Sequence, residues 1–180
     1  MTETKKAQPG MVQLTFMLFI ITAVTSLLLG LVNGITKDRI AAFKQEKTAS
    51  AMLEVLPEAN GFTQMDKSFD DPLVTGVFEA GEHGYVFQVQ PSGFGGAIDM
   101  VVGMSPDGAV TGVAIITMAE TSGLGTEANG PEFRAQYLGA SSAQAVNKDG
   151  GSIDALTGAT VTSRAVTSGV NAAIAAFAAL

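Results

Sequence analysis

No charged residue occurs between Met11 and Ile35, where Leu, Ile, Val, Met and Phe dominate. About 20 such residues in a helix cross a hydrocarbon core. The pattern therefore predicts a membrane-spanning helix over 11–35, behind a short tail of residues 1–10. From Ile35 to Leu56, good helix formers alternate with apolar residues at Ile40, Phe43, Met52, Leu53 and Leu56, until Pro57 stops the run. This predicts a helical stalk over 36–57. A cleaved signal peptide starts in a similar way, behind Lys5 and Lys6. However, the apolar run exceeds the usual core of about 7–15 residues, and Gly30-Leu31-Val32-Asn33 offers no small-x-small cleavage site. A retained anchor is expected.

Between Pro72 and Thr117 the period shortens to β-rich runs separated by turn residues, the pattern of an antiparallel meander. The expected strands are Leu73 to Glu79, Gly84 to Gln90, Gly96 to Gly103 and Ala109 to Thr117. Ser105-Pro106-Asp107-Gly108 joins the last two as a hairpin, with Pro preset for a turn and Gly free to take positive φ. A polar loop (Ala119 to Asn129), a short helix (Pro131 to Tyr137) and a short strand near Ala145 to Asn147 follow. The closing helix, from about Ser163 to Ala179, carries an apolar stripe of Val166, Val170, Ile174 and Phe177. Four or five antiparallel strands with packed helices make an α+β domain over 58–180.

Charge divides the chain. Residues 1–47 hold six Lys/Arg against three acids, whereas residues 48–180 hold four against fourteen, a net of −10 within a whole-chain −7. A domain that acidic lacks the basic stripe that nucleic acid requires, so no nucleic-acid partner is expected. The absence of Cys removes thiolate nucleophiles, Cys-ligated zinc and iron–sulfur clusters. Redox chemistry here needs an organic cofactor or a partner. The single histidine, His83, lies in a Gly-flanked turn and reads as a solvated turn residue. No catalytic residue and no metal ligand is assigned.

One segment carries candidate chemistry. In Asp154-Ala155-Leu156-Thr157-Gly158-Ala159-Thr160-Val161-Thr162-Ser163, five of ten residues bear a hydroxyl or carboxyl group, directly before the last helix. Small residues let backbone N–H groups approach a ligand, and a helix N-terminus favours a phosphate. Composition alone favours a second reading, in which Thr160, Thr162 or Ser163 only caps the helix and Gly158 eases the turn.

Asp-x-x-Thr-Gly-Ala-Thr resembles the flavinylation motif of the FMN-binding domain shared by the G subunit of Rnf-type ion-translocating oxidoreductases and the C subunit of the sodium-pumping NADH:quinone reductase. Glu120-Thr121-Ser122-Gly123-Leu124-Gly125-Thr126 is similar to the family's Glu-Thr-Pro-Gly-Leu-Gly loop near the flavin ring, with Ser122 in place of Pro. The span exit, Leu29 to Lys37, also resembles that of the Rnf G subunit, and total length favours this subunit over its longer relative.

The resemblance implies one FMN held by a phosphoester to Thr160 and attached by a separate flavin transferase that recognises Asp154 within the motif. Its phosphate would draw on N–H groups around Ala159 to Ser163 and on the hydroxyls of Thr157, Thr162 and Ser163. Gly158 would open the turn. Glu120, Thr121, Gly123, Leu124 and Gly125 would lie near the ring. The chain would relay electrons within a complex that moves them between ferredoxin and NAD and transports Na⁺ or H⁺. Partner membrane and iron–sulfur subunits would do the remaining chemistry. The family pattern places the domain on the outer, periplasmic or extracellular, side of the cell membrane. The lysine bias points the other way, with Lys5 and Lys6 before the span against Lys37, Arg39, Lys44 and Lys47 after it. A helical stalk of mixed charge weakens that bias, and the family pattern is preferred. The rival readings are an anchored module that holds flavin noncovalently or acts as a sensor, and a purely structural anchor.

Overall fold

The computed structural model describes residues 10–180, so Lys5 and Lys6 of the charge argument lie outside the described residues. The chain separates into two compact units, Met1–Lys44 and Gln45–Leu180.

Helix α1 runs unbroken over Met11–Val55, so anchor and stalk are one element. Its apolar part is long enough to cross a membrane and leaves Phe16, Phe19, Leu27 and Leu29 exposed. The hydroxyls of Thr15, Thr22, Thr25 and Thr36 donate to the carbonyls of Met11, Leu18, Ile21 and Val32 one turn back. These threonines therefore bring no unpaired donor into hydrocarbon, where such a group is costly.

The second unit is α+β. Its sheet is a simple antiparallel meander in the order β1 (Thr63–Met65), β2 (Val74–Glu79), β3 (Tyr85–Val89), β4 (Asp99–Met104), β5 (Val110–Thr117). The hairpin between β4 and β5 closes as expected. Gly108 N–H donates to the Ser105 carbonyl at 2.9 Å, and Gly108 has φ 82.

β4 is buried at every position, because both faces of the sheet are covered, and after Asp99 its residues are all apolar or Gly, as that demands. On one face Val77, Phe87, Met100 and Val102 pack with Val166, Val170 and Ala173 of α3 (Thr160–Ala178). The helix comes close because its contact stripe is small. A Cβ on Gly169 would sit 3.1 Å from Met100 Sδ and from Pro91 Cγ. Val166 and Val170 are fully buried, while Ile174 and Phe177 lie partly buried at the cluster's edge.

On the other face Val86, Val101, Ala114 and Ile116 pack with Ala51, Met52, Val55 and Leu56. The last turns of α1 thus belong to the second unit's core, although they were expected to stand apart as a stalk. Val55 fits because β4 and β5 present Gly103 and Gly112 to it. A Cβ on either would approach Val55 atoms to about 3 Å.

Three local differences have clear causes. β1 is three residues long, too short for a periodic signal. The strand expected near Ala145 to Asn147 is a single parallel bridge, Val146 to Ile153, because a 3₁₀ turn at Asn147–Asp149 and Gly150 at φ 84 fold the chain back. The closing helix starts at Thr160, three residues before Ser163, since Gly158 at φ 77 has already made the turn.

Candidate functional site

The polar loop after β5, the Gly-rich connection between β3 and β4, and the first turn of α3 meet at one end of the sheet. They enclose a cavity of about 430 Å³ lined by Phe94, Glu120, Thr121, Leu124, Gly125 and residues 158–162. Its size falls within the range of small-molecule sites, about 300–1,000 Å³.

Thr160 is the first residue of α3, half-buried, and lines the cavity. No hydrogen bond to its hydroxyl is found among the described residues. The helix has no side-chain cap at Ala159, so the capping alternative is not what this turn adopts. Its first closing bond runs from Ser163 N–H to the Ala159 carbonyl at 3.0 Å. The N–H groups of Thr160, Val161 and Thr162 precede that bond and have no intrahelical acceptor.

The neighbouring hydroxyls are engaged elsewhere. The buried Thr162 hydroxyl donates to Glu120 Oε2. Ser163, fully buried, accepts Leu156 N–H and donates to the Ala159 carbonyl, each at 3.0 Å. Both had been expected to serve as phosphate donors. Their side chains instead shape the turn, leaving backbone N–H groups as the available donors. Thr157 is exposed and outside the cavity lining.

Glu120 is buried at 8% exposure. Its Oε1 accepts Gly95 N–H at 2.9 Å. Burial pushes its carboxyl up, but the Thr162 hydroxyl and the Gly95 and Phe94 N–H groups outweigh that and hold it below the ordinary value of 4.5. Gly125 permits this packing, because a Cβ there would stand 2.8 Å from Glu120 Oε2 and 2.9 Å from Thr162 Oγ1. Leu124, 44% exposed, stands against Gly158, whose added Cβ would meet Leu124 Cδ2 at 3.2 Å. Gly123 lies outside the lining, its N–H donating to Thr126 Oγ1 in the loop's own turn.

The structure thus gathers Glu120, Thr121, Leu124, Gly125, Gly158, Ala159, Thr160 and Thr162 at one cavity and leaves Thr157, Gly123 and Ser163 beside it. Sequence reasoning missed Phe94 and Val161. Phe94 is 74% exposed in Gly93-Phe94-Gly95-Gly96, and an aromatic amid glycines was the signal available. Asp154 is exposed and sits outside the lining. Asn147 Nδ2 donates to its Oδ1 at 3.0 Å, and Gln136 Oε1 accepts its N–H at 2.6 Å.

The cavity fits a phosphorylated planar ligand: unpaired N–H groups and a free hydroxyl at one side, apolar Leu124, Val161 and Phe94 around it. Comparison with known proteins agrees. Residues 93–175 match the family model for an FMN-binding domain, and residues 5–55 match that for the RnfG N-terminal region. The G subunit of the Na⁺-translocating ferredoxin:NAD⁺ oxidoreductase complex of Acetobacterium woodii is 33% identical over 90% of this chain and 89% of its own length. The G subunit of the ion-translocating oxidoreductase complex of Methanosarcina acetivorans is 34% identical over 86% and 88%. The G subunit of the proton-translocating ferredoxin:NAD⁺ oxidoreductase complex of Clostridium ljungdahlii is 33% identical over 94% and 92%. With this likeness spanning both anchor and cavity, the chain belongs to the RnfG family, the G subunits of Rnf-type ion-translocating oxidoreductase complexes, and carries an FMN-binding domain.

Proposed function

We propose that this chain is the electron-carrier component of a membrane-bound ferredoxin:NAD oxidoreductase that transports an ion, and that it holds one FMN through a phosphoester to Thr160. The observation that carries the reading is the placement of Thr160. Among the described residues its hydroxyl finds no acceptor and the first three N–H groups of its helix turn no intrahelical partner, and the residue lines the cavity. When bound, the flavin supplies reversible electron uptake, which the side chains of a Cys-free protein lack.

The protein's own groups would hold and orient. The N–H groups of Thr160, Val161 and Thr162 face an anion with the positive end of the α3 dipole behind them. This local field prevails over the domain's net negative charge, because charges beyond about 8 Å are screened at physiological salt. Leu124, Val161 and Phe94 shed water from an apolar ring without enclosing it, which leaves an edge open to redox partners. A covalent tether supplies the high local concentration that such an open site could not secure alone.

Membrane and iron–sulfur subunits of the same complex are the proposed partners, with a flavin transferase acting on the segment around Asp154 during maturation. The FMN domain is assigned to the outer side of the membrane. Protection of the domain from added protease in intact cells would overturn that assignment.

The test of attachment is in-gel flavin fluorescence after SDS electrophoresis, combined with mass mapping of the peptide that contains Thr160. Native protein is expected to fluoresce and to carry FMN on that residue. Thr160→Ala is expected to be dark, and Thr160→Ser to retain the label in part. Fluorescence lost on denaturation points to a noncovalent flavin module, and full electron transfer with Thr160→Ala points to a structural anchor.

A further inference from the structure

Three separate stretches wall the cavity: 93–95, 120–125 and 158–162. One side chain ties them together. Glu120 receives Gly95 N–H on Oε1 and the Thr162 hydroxyl on Oε2. The fit leaves no slack, since a Cβ on Gly93 would stand 2.3 Å from Glu120 Oε1 and one on Gly125 would stand 2.7 Å from Glu120 Cβ. Both oxygens are thus turned toward protein donors. Among the described residues, Glu120 is also the only ionisable one that lines the cavity.

We infer that Glu120 is a positioning residue, a buried anionic clamp that holds the Phe94 loop against the Thr160 turn and biases the electron affinity of the site without being a ligand. A carboxylate accepting several hydrogen bonds from its surroundings stays charged. Its ties come from the Phe94 loop and from the first turn of α3, 25 and 42 residues away, so losing it removes the side-chain link between these two walls. Phe94 is largely exposed, and nothing in its own side-chain packing replaces the backbone tie. The fixed negative charge also opposes the arrival of an electron nearby, because Coulomb repulsion in a partly buried site is weakly screened. The clamp stands on the protein's geometry alone. The bias rests on the flavin reading proposed above.

Substitution separates the two roles. In Glu120→Gln the amide oxygen accepts Gly95 N–H, and the amide NH₂ donates to the Thr162 hydroxyl, which turns from donor to acceptor. The clamp is retained and the charge is lost. In Glu120→Ala both are lost.

The experiment uses the full-length protein in detergent with two readouts. Amide hydrogen exchange at Phe94 and Gly95 needs no flavin. It is expected to stay within about twofold of wild type in Glu120→Gln and to rise about tenfold or more in Glu120→Ala, since local opening controls exchange. Should Glu120→Ala fail to fold, Thr162→Val cuts one tie and is expected to speed the same amides several-fold. Wild-type exchange in Glu120→Ala, or in Thr162→Val where that variant is the one measured, overturns the clamp. The second readout is the flavin's reduction potential. Glu120→Gln is expected to raise it by about a tenfold change in the reduced-to-oxidised ratio, or about 59 mV for a one-electron step. An unchanged potential with intact exchange overturns the bias. Native protein without flavin sinks the proposed function but leaves the exchange readout intact.

Discussion

Cutting the chain at Pro57, where the helical pattern stops, should give a damaged domain. A fragment of residues 58–180 lacks Met52, Val55 and Leu56, which are 4%, 2% and 5% exposed in the intact structure. Burying each such side chain contributes about 1.5–3 kcal/mol, so the three together contribute about 5–9 kcal/mol. A compact unfolded state trims that by as much as about 40%, leaving about 3–5 kcal/mol. Typical domains hold only about 5–15 kcal/mol in all. The cut also bares Val86 and Val101 and removes Glu54, whose Oε1 pairs with Arg134 Nη1 at 2.6 Å. Urea unfolding of fragments 45–180 and 58–180, followed by circular dichroism, tests this directly. At about 1–3 kcal/mol per molar urea, the shorter fragment should lose roughly 1–5 M in midpoint or fail to fold. Leu56→Ala in the longer fragment should lose about 2–5 kcal/mol by itself. Equal midpoints for the two fragments would refute the reasoning and return residues 45–57 to the role of a passive stalk.

Other outcomes follow from single contacts. Tyr137 is fully buried, and its hydroxyl meets Thr167 Oγ1 at 2.8 Å. Tyr137→Phe should cost about 1 kcal/mol in thermal or denaturant unfolding. Burial also pushes the Tyr137 phenol up to about 12. A raised folded value gives stability that is complete below the ordinary value of 10 and lost as pH climbs from there through about 12. Alkaline melting curves should show that loss in wild type and show less of it in Tyr137→Phe. Glu120 works in the opposite sense. Its folded value is depressed, so its stabilisation is complete above the ordinary 4.5 and is lost as pH falls below it. Thr162→Val removes a lowering contact, brings the folded value back toward the ordinary one and should make the acid limb of a melting profile shallower; an unchanged limb would show that this tie contributes nothing. Gly125→Ala places a Cβ 2.7 Å from Glu120 Cβ, and overpacking of that kind should cost about 1–3 kcal/mol with partial loss of flavin fluorescence.

The sheet was legible because its strands alternate or run apolar and end in strong turn residues, Ser105 to Gly108 above all. The apolar span was legible from its freedom from charge. What escaped was long-range. Met52 and Val55 carry the same pattern whether they face solvent, a partner or the domain's own sheet, and only the glycines at 103 and 112, some 50 residues later, reveal a groove for them. The cavity was half legible. The motif and the Gly-Leu-Gly loop were singled out by resemblance, but Phe94 lies in neither and entered only when the fold carried its loop to the cavity. Glu120 was expected beside the ring. Its inward bonds to Gly95 and Thr162 connect residues 25 and 42 positions away, a separation that no local pattern encodes.

The same limit explains why four hydroxyls in one short segment differ in what they can do. Successive residues of a helix point about 100° apart. With α3 lying on the sheet, Thr162 and Ser163 face inward at 1% and 0% exposure, while Val161 and Arg164 face outward. Inward hydroxyls must find acceptors, because an unpaired buried hydroxyl costs about 1–3 kcal/mol, and these two find Glu120 and the Ala159 carbonyl. Thr157 lies before the turn at Gly158 and away from the cavity. Thr160 is set on the boundary between core and solvent, half-buried and at the cavity wall. Exchanging Thr160 and Val161 in a double variant therefore keeps the composition and turns the hydroxyl by one helical step. Flavin attachment should fall to background in that variant while the melting temperature changes little, because neither position fills the core. Attachment at the shifted threonine with native yield would show that the segment's composition, and not the orientation set by α3, selects the residue.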